Sequence, residues 1–274
     1  MWIEILRLLR HKVIIKTAIV MVTLILVALF IQEYYDPSVI SIWEYALMLI
    51  DNRILMLVIF TFLPFVLTRN TIETTPYDMH IAMKLKGINA WYYTRIICLV
   101  LFSVLFVLIA GLCIICVGAL SGFNPISNWE ESYYFYGQAV RADSFDQIGN
   151  PFILLIHKGP TPMQSFHIAL LLLAFRISFY NIMLFICSNT SKGAVLGILS
   201  VGTFAWIEVY IYAIFCIQKP WGILPFEHSL VSSINAYRFP FYFSVAYWMA
   251  LLTAIVNIGA YFRAKAMNPT KNSF

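Results

Sequence analysis

Charge is scarce in this chain. Asp, Glu, Lys and Arg make up only 11% of its 274 residues, and 61% are hydrophobic. A soluble domain carries about 25% charge, so there is too little polar surface here to coat a water-soluble core. Lipid is the solvent expected for much of the exterior. Also absent is a G-x-x-x-x-G-K-[ST] loop, so no phosphate cradle for a nucleotide is visible. There is no His-Glu-x-x-His and no paired-carboxylate motif. The five histidines (His11, His80, His157, His167, His228) are scattered, which leaves an intramembrane metalloprotease or acid–base enzyme with little support. The five cysteines (Cys98, Cys113, Cys116, Cys187, Cys216) lie in or beside apolar runs. No disulfide framework is visible. Cys113 and Cys116 are spaced as C-x-x-C, but an apolar run without further ligands speaks for packing. No small-residue cleavage site follows the first apolar run, which predicts a retained helix and not a signal peptide.

What is present is a series of long, continuous apolar runs. Backbone groups in lipid must find partners within the chain, so spans are helices or closed barrels. Barrel strands would show about ten residues of alternating pattern, and these runs do not alternate. The predicted fold is therefore all-α and integral to a membrane. Six spans are expected, at about 13–32, 53–68, 94–118, 166–187, 192–217 and 239–262. Pro64 interrupts the second, and residues 42–50 either extend it or lie in the outer interface. On this layout one side holds Arg7, Arg10, Lys12, Lys16, Arg69, Lys84, Lys86, Arg95, Lys192, Arg263, Lys265 and Lys271. The other holds Arg53, Arg141, Lys158, Lys219 and Arg238. The positive-inside rule then predicts a cell-membrane protein with both termini cytoplasmic. The net charge of +5 suits anionic inner-leaflet lipid and calls for no nucleic-acid partner.

Three cytoplasmic features stand out. At the N-terminus, Trp2, Ile5, Leu6 and Leu9 share one helical face, opposite Glu4, Arg7, Arg10 and His11. This predicts an amphipathic helix at the interface, serving equally as a membrane anchor or as a partner contact. In the 69–93 loop, Thr75 is placed to cap a helix with Pro76 in its first turn, followed by Tyr77 and Asp78. Lys84 and Lys86 sit near its end and Gly87 stops it, which complements the helix dipole. Between the fourth and fifth spans only 188–191 remain, forcing an antiparallel hairpin. Outside, the segment 119–165 carries Trp129, Tyr133, Tyr134, Phe135 and Tyr136, an aromatic cluster of the kind found in interface belts.

Two charges fall within spans, Arg176 in the fourth and Glu208 in the fifth. Charges at this depth are costly and usually face protein or a cavity. Counted from the expected hairpin ends, they lie about 16 and 24 Å from the cytoplasmic side. A structural ion pair orienting the hairpin is favoured over substrate contact.

These features resemble the six-helix permease subunits of ABC-2-type exporters. In that family the loop after the second span carries a pattern close to Arg-x-x-x-Glu, a small residue and Thr, and a small helix there docks on the ATPase. Arg69, Glu73, Thr74 and Thr75 are similar, as are Leu85-Lys86-Gly87-Ile88-Asn89-Ala90-Trp91 and Arg95. Thr74 stands where Gly is common, and Gly87 near where Pro is common. The Pro-containing segment 218–240 resembles the family's re-entrant outer helices, and 119–165 is longer than in the best-known members. The resemblance implies that Glu73, Thr75, Pro76, Tyr77, Asp78, Met79, His80, Met83 and Lys84 contact a separate ABC ATPase. ATP and Mg would be bound by that partner and no cofactor by this chain. A homodimer, or a heterodimer with a similar permease, would build the path, and the aromatic and aliphatic walls lean toward a peptide or lipid-like cargo. The alternatives are a non-transporting immunity or sensor subunit, and less readily an ion-coupled secondary transporter or an intramembrane enzyme. A secondary transporter would be expected to show internal repeats, and none is clear.

Overall fold

The computed structural model describes residues 41–51, 53–72, 88–125, 161–190, 194–212, 224–229 and 241–266. Among these the chain is all-helical, with no strand and one isolated bridge between Ser41 and Asn124. The helices are α1 (Ile42–Asp51), α2 (Arg53–Leu57), α3 (Leu63–Ile72), α4 (Ile88–Leu120), α5 (Pro162–Thr190), α6 (Ala194–Ile211) and α7 (Phe241–Ala266). A π turn at Val58–Phe62 joins α2 to α3, and a 3-10 turn spans Glu227–Ser229.

Three helices are long and apolar enough to cross a bilayer, within α4, α5 and α7. The count rises to four if α1 and the α2–α3 run form one broken span, their axes bent by 69°. The helical bounds differ from several of the expected span limits. Pro162–Thr190 extends past the expected end at 187, and α6 follows after only three residues. α6 begins at Ala194 and has only 18 residues, about 27 Å of helix. The first expected span, 13–32, lies outside the described residues, as does most of 119–165.

Residues 42–50 form a helix of their own. Ser41 and Glu44 build a capping box: the Ser41 N–H donates to Glu44 Oε2 at 2.8 Å and the Glu44 N–H to Ser41 Oγ at 3.3 Å. Two otherwise orphaned donors are thus satisfied, which starts α1 here. Thr161 and Gln164 repeat the device at the head of α5, at 3.0 and 3.3 Å, with Pro162 between them. At its far end α4 closes on Gly122, whose φ of +84° only glycine adopts at ease. The Gly122 N–H reaches the Ala119 carbonyl and the Phe123 N–H the Gly118 carbonyl, a Schellman stop. Phe123 then stacks on Tyr45 of α1 at 4.5 Å.

Pro64 explains the π turn. A proline inside a helix lacks its N–H and crowds the carbonyl four residues back. The turn ahead of it widens instead, and the Leu63 N–H bonds to Val58 O, five residues away. Thr61 Oγ1 adds a bond to Met56 O at 2.9 Å.

α5 is the axis of the bundle, packing against α1, α3, α4, α6, α7 and both irregular turns. Over their most apolar stretches α5 is 61% buried, α4 44% and α7 only 11%. On α4 the division runs by helical face. Leu99, Ser103, Phe106, Ala110 and Ile114 are buried, while Ile97, Val104, Leu108 and Leu112 are exposed. Spacings of three and four residues set such stripes. In water the exposed stripe would be a liability, whereas in lipid it is the expected exterior. Close approach to α7 depends on Gly259: a Cβ there would collide with the Tyr92 hydroxyl and with Ile186. Small residues at helix interfaces in lipid permit such approach, and dispersion then holds the pair.

Candidate functional site

α5 and α6 run antiparallel, Gly197 lying against Ser188 and Leu184 and Glu208 against Tyr180. Arg176 lies fourteen residues before Thr190, and Glu208 fourteen after Ala194. Both therefore sit about 21 Å from those helix ends. This corrects the unequal depths expected from the shorter helix limits. The two side chains are also buried, with Arg176 at 0% exposure and Glu208 at 3%.

They share a site without a hydrogen bond between them. Glu208 Oε2 accepts from the Tyr180 hydroxyl and Oε1 from the Phe226 backbone N–H. Tyr180 lies one turn beyond Arg176 on α5, and so on the same face. The Arg176 Cζ stands 5.3 Å from the Tyr180 ring centroid and 4.6 Å from that of Phe226. Its charge is thereby held between two aromatic faces, within electrostatic reach of Glu208. Among the described residues its three guanidinium nitrogens make no hydrogen bond of good geometry, although the Tyr180 hydroxyl is in polar contact with them.

Phe226 belongs to a short segment, 224–229, that closes over the end of α6. Its 3-10 turn is held locally by the Ser229 N–H on Phe226 O at 3.0 Å and by the Leu224 N–H on Glu227 Oε2 at 3.2 Å. His228 fastens it to α7. The Nδ1 lies 3.0 Å from Ser244 Oγ, Trp248 Nε1–H donates to the His228 carbonyl at 3.0 Å, and the imidazole stacks on Tyr247 at 4.0 Å. The site thus gathers α5, α6 and the 224–229 segment around one guanidinium, and α7 fastens that segment.

Comparison with protein-family models, with curated proteins and with solved structures finds no match to this chain. The chemistry must be argued from its own residues. A buried guanidinium beside a carboxylate that is already satisfied offers directed donors and a compensated charge. Among the described residues no three His, Cys, Asp or Glu side chains converge as metal ligands. Cys113 is buried and Cys116 exposed, both as free thiols.

A second polar group lies further along α5. Asn181 Nδ2 donates to Ser103 Oγ at 3.1 Å, and Thr68 Oγ1 lies 3.2 Å from Asn181 Oδ1. Both hydroxyls also bond their own helices, at Leu99 O (2.8 Å) and Pro64 O (2.7 Å). This network joins α3, α4 and α5 inside the bundle.

The other expected site residues lie outside the described residues: Glu73, Thr75, Pro76, Tyr77, Asp78, Met79, His80, Met83 and Lys84 of the expected coupling segment, and Trp2, Ile5, Leu6 and Leu9 of the N-terminal helix. Sequence reasoning singled out Arg176 and Glu208. It passed over Tyr180, Phe226, His228 and Asn181. Tyr180 could have been found from its helical spacing to Arg176, and Asn181 as an amide within an apolar run.

Proposed function

We propose that this chain is the membrane subunit of an ATP-driven exporter of the ABC-2 type. In this reading it has six spans, both termini are cytoplasmic in the cell membrane, and a separate subunit hydrolyses ATP. It works as a pair, with itself or with a similar permease, on a hydrophobic or amphipathic cargo.

The observation that carries the reading is the shared end of the described helices. Tyr92 near the start of α4 packs on Phe185 near the end of α5, with ring centroids 5.8 Å apart. Gly259, near the end of α7, abuts the same region at Tyr92 and Ile186. α3 packs on α4 and α5 and ends at Ile72, and α4 begins at Ile88. In this reading the loop that carries the expected 76–86 coupling helix joins α3 to α4 at the end shared with the start of α6 and the close of α7. The segments joined there carry Lys84, Lys86, Lys192 and Lys271. Such a basic end supports a cytoplasmic placement, where an ATPase would meet the 76–86 helix.

Two experiments test this. With single cysteines at Ser127 and at Asn70, only the first should react with an impermeant thiol reagent in intact cells, and equal labelling would sink the topology. Met79→Asp with Met83→Asp should abolish co-purification of an ATPase and transport-linked ATP hydrolysis while insertion is kept. An ATPase that stays bound to the double variant, or that never associates with the wild type, would overturn the assignment.

A further inference from the structure

We propose that the Arg176 guanidinium is the binding point for an anionic oxygen group, a carboxylate or a phosphate, on an amphiphilic ligand, and that residues 224–229 are the cover over it. The inference deepens the permease reading and rests on it for the ligand's amphiphilic character.

A buried pair kept for structure alone should use the arginine fork, with two parallel N–H···O bonds to the carboxylate. Attraction without such bonds seldom repays the loss of hydration. Here Glu208 gives one oxygen to the Tyr180 hydroxyl and the other to the Phe226 N–H. The fork of a fully buried Arg176 makes no hydrogen bond of good geometry to any described residue, and its polar contact with the Tyr180 hydroxyl supplies no second oxygen. The rings of Tyr180 and Phe226 attract the cation through their faces, but they do not satisfy N–H donors lying in the guanidinium plane. A planar array of five donors is shaped for two oxygens of one oxyanion. The aromatic rings that flank it, Tyr180 and Phe226, favour a ligand with a hydrocarbon body.

Glu208 then serves as the internal counter-ion that an incoming oxyanion displaces in role. Access requires 224–229 to lift. That motion breaks the Phe226 N–H bond to Glu208, the Trp248 bond to the His228 carbonyl and the His228–Ser244 contact. None of these three belongs to the backbone ladder of a helix.

The test uses the full chain in phosphatidylcholine nanodiscs. Modification of Arg176 by phenylglyoxal is followed by peptide mass spectrometry. Oleate and dodecyl phosphate should slow it saturably by about tenfold, as expected of a fork occupied by an oxyanion, while dodecanol and dodecyltrimethylammonium should not. Protection in phosphatidylglycerol discs without added probe would identify a bilayer headgroup as the source; protection only with probe would identify a free amphiphile. Glu208→Gln should tighten oleate binding, Arg176→Lys should weaken it and Arg176→Met should abolish it. If the last variant does not fold, the wild-type protection assay decides. Equal effects of probes and controls, no protection in either disc, or no modification of Arg176 without probe would each overturn the proposal. The assay contains no ATPase. Failure here beside a co-purifying ATPase removes this site alone, and binding here without any associated ATPase removes the exporter reading alone.

Discussion

Two buried polar groups stand five residues apart on α5, and they are built on opposite plans. At Asn181 the polar atoms meet one another or a helix carbonyl, and the network ties α3, α4 and α5 together. At Arg176 the neighbours are satisfied while the guanidinium is not. A closed network rigidifies what it joins, whereas one with open donors is costly unless something else completes it. The two plans also face different parts of the bundle. The closed one lies on the side of α4, the open one toward α6 and the 224–229 segment, which is fastened to an α7 whose most apolar stretch is only 11% buried against 61% for that of α5. The helix that joins all the others thus carries a fastener on one side and an incomplete site on the other.

The comparison can be broken most forcefully at Glu208. Glu208→Gln leaves Arg176 as an uncompensated buried charge and should cost about 3–5 kcal/mol, read as the unfolding midpoint in mixed micelles. Adding Arg176→Met should restore part of that loss; strictly additive losses would show that the two residues do not interact. Next in size is Gly259→Ala, which forces α7 off Tyr92 and Ile186 and should cost about 1–3 kcal/mol by overpacking. An unchanged midpoint would mean that α7 does not lie this close. Asn181→Leu should be milder, about 1 kcal/mol, because Thr68 and Ser103 keep their helix carbonyls and membrane hydrogen bonds are individually modest. A loss as large as that of Glu208→Gln would erase the distinction between the two networks. Smallest is Trp206→Leu. Trp206 stacks on Tyr210 at 5.3 Å on the exposed face of α6 and should change stability by less than about 0.5 kcal/mol. A larger effect would show that protein, not lipid, covers that face.

The helical class and the apolar helices α4, α5 and α7 were legible because long apolar runs in lipid leave the backbone few options. Helix limits were less so. The ends at Thr190 and Pro162 are polar or proline-containing turns that hydropathy trims away, although Ser41-x-x-Glu44 and Thr161-x-x-Gln164 both announce a helix start. At the site, Arg176 and Glu208 were visible as charges in apolar surroundings. Phe226 and His228 were not, because an irregular segment has no periodicity to say which way it faces. Their contacts with Glu208 and Ser244 span eighteen and sixteen residues.

The widened turn at Val58–Phe62 also acts as an offset in phase. A π turn holds one residue more than an α turn, and one residue is about 100° of helical rotation. Everything before it is therefore turned relative to everything after. Phe62, the last residue of the turn, lies over Gly202 of α6, and Thr68, six residues on in α3, reaches Asn181 of α5. Closing the widened turn to an ordinary α turn with every residue kept would swing α2 by that angle around the bundle, whereas deleting one residue within 58–62 would close the turn and leave α2 in phase.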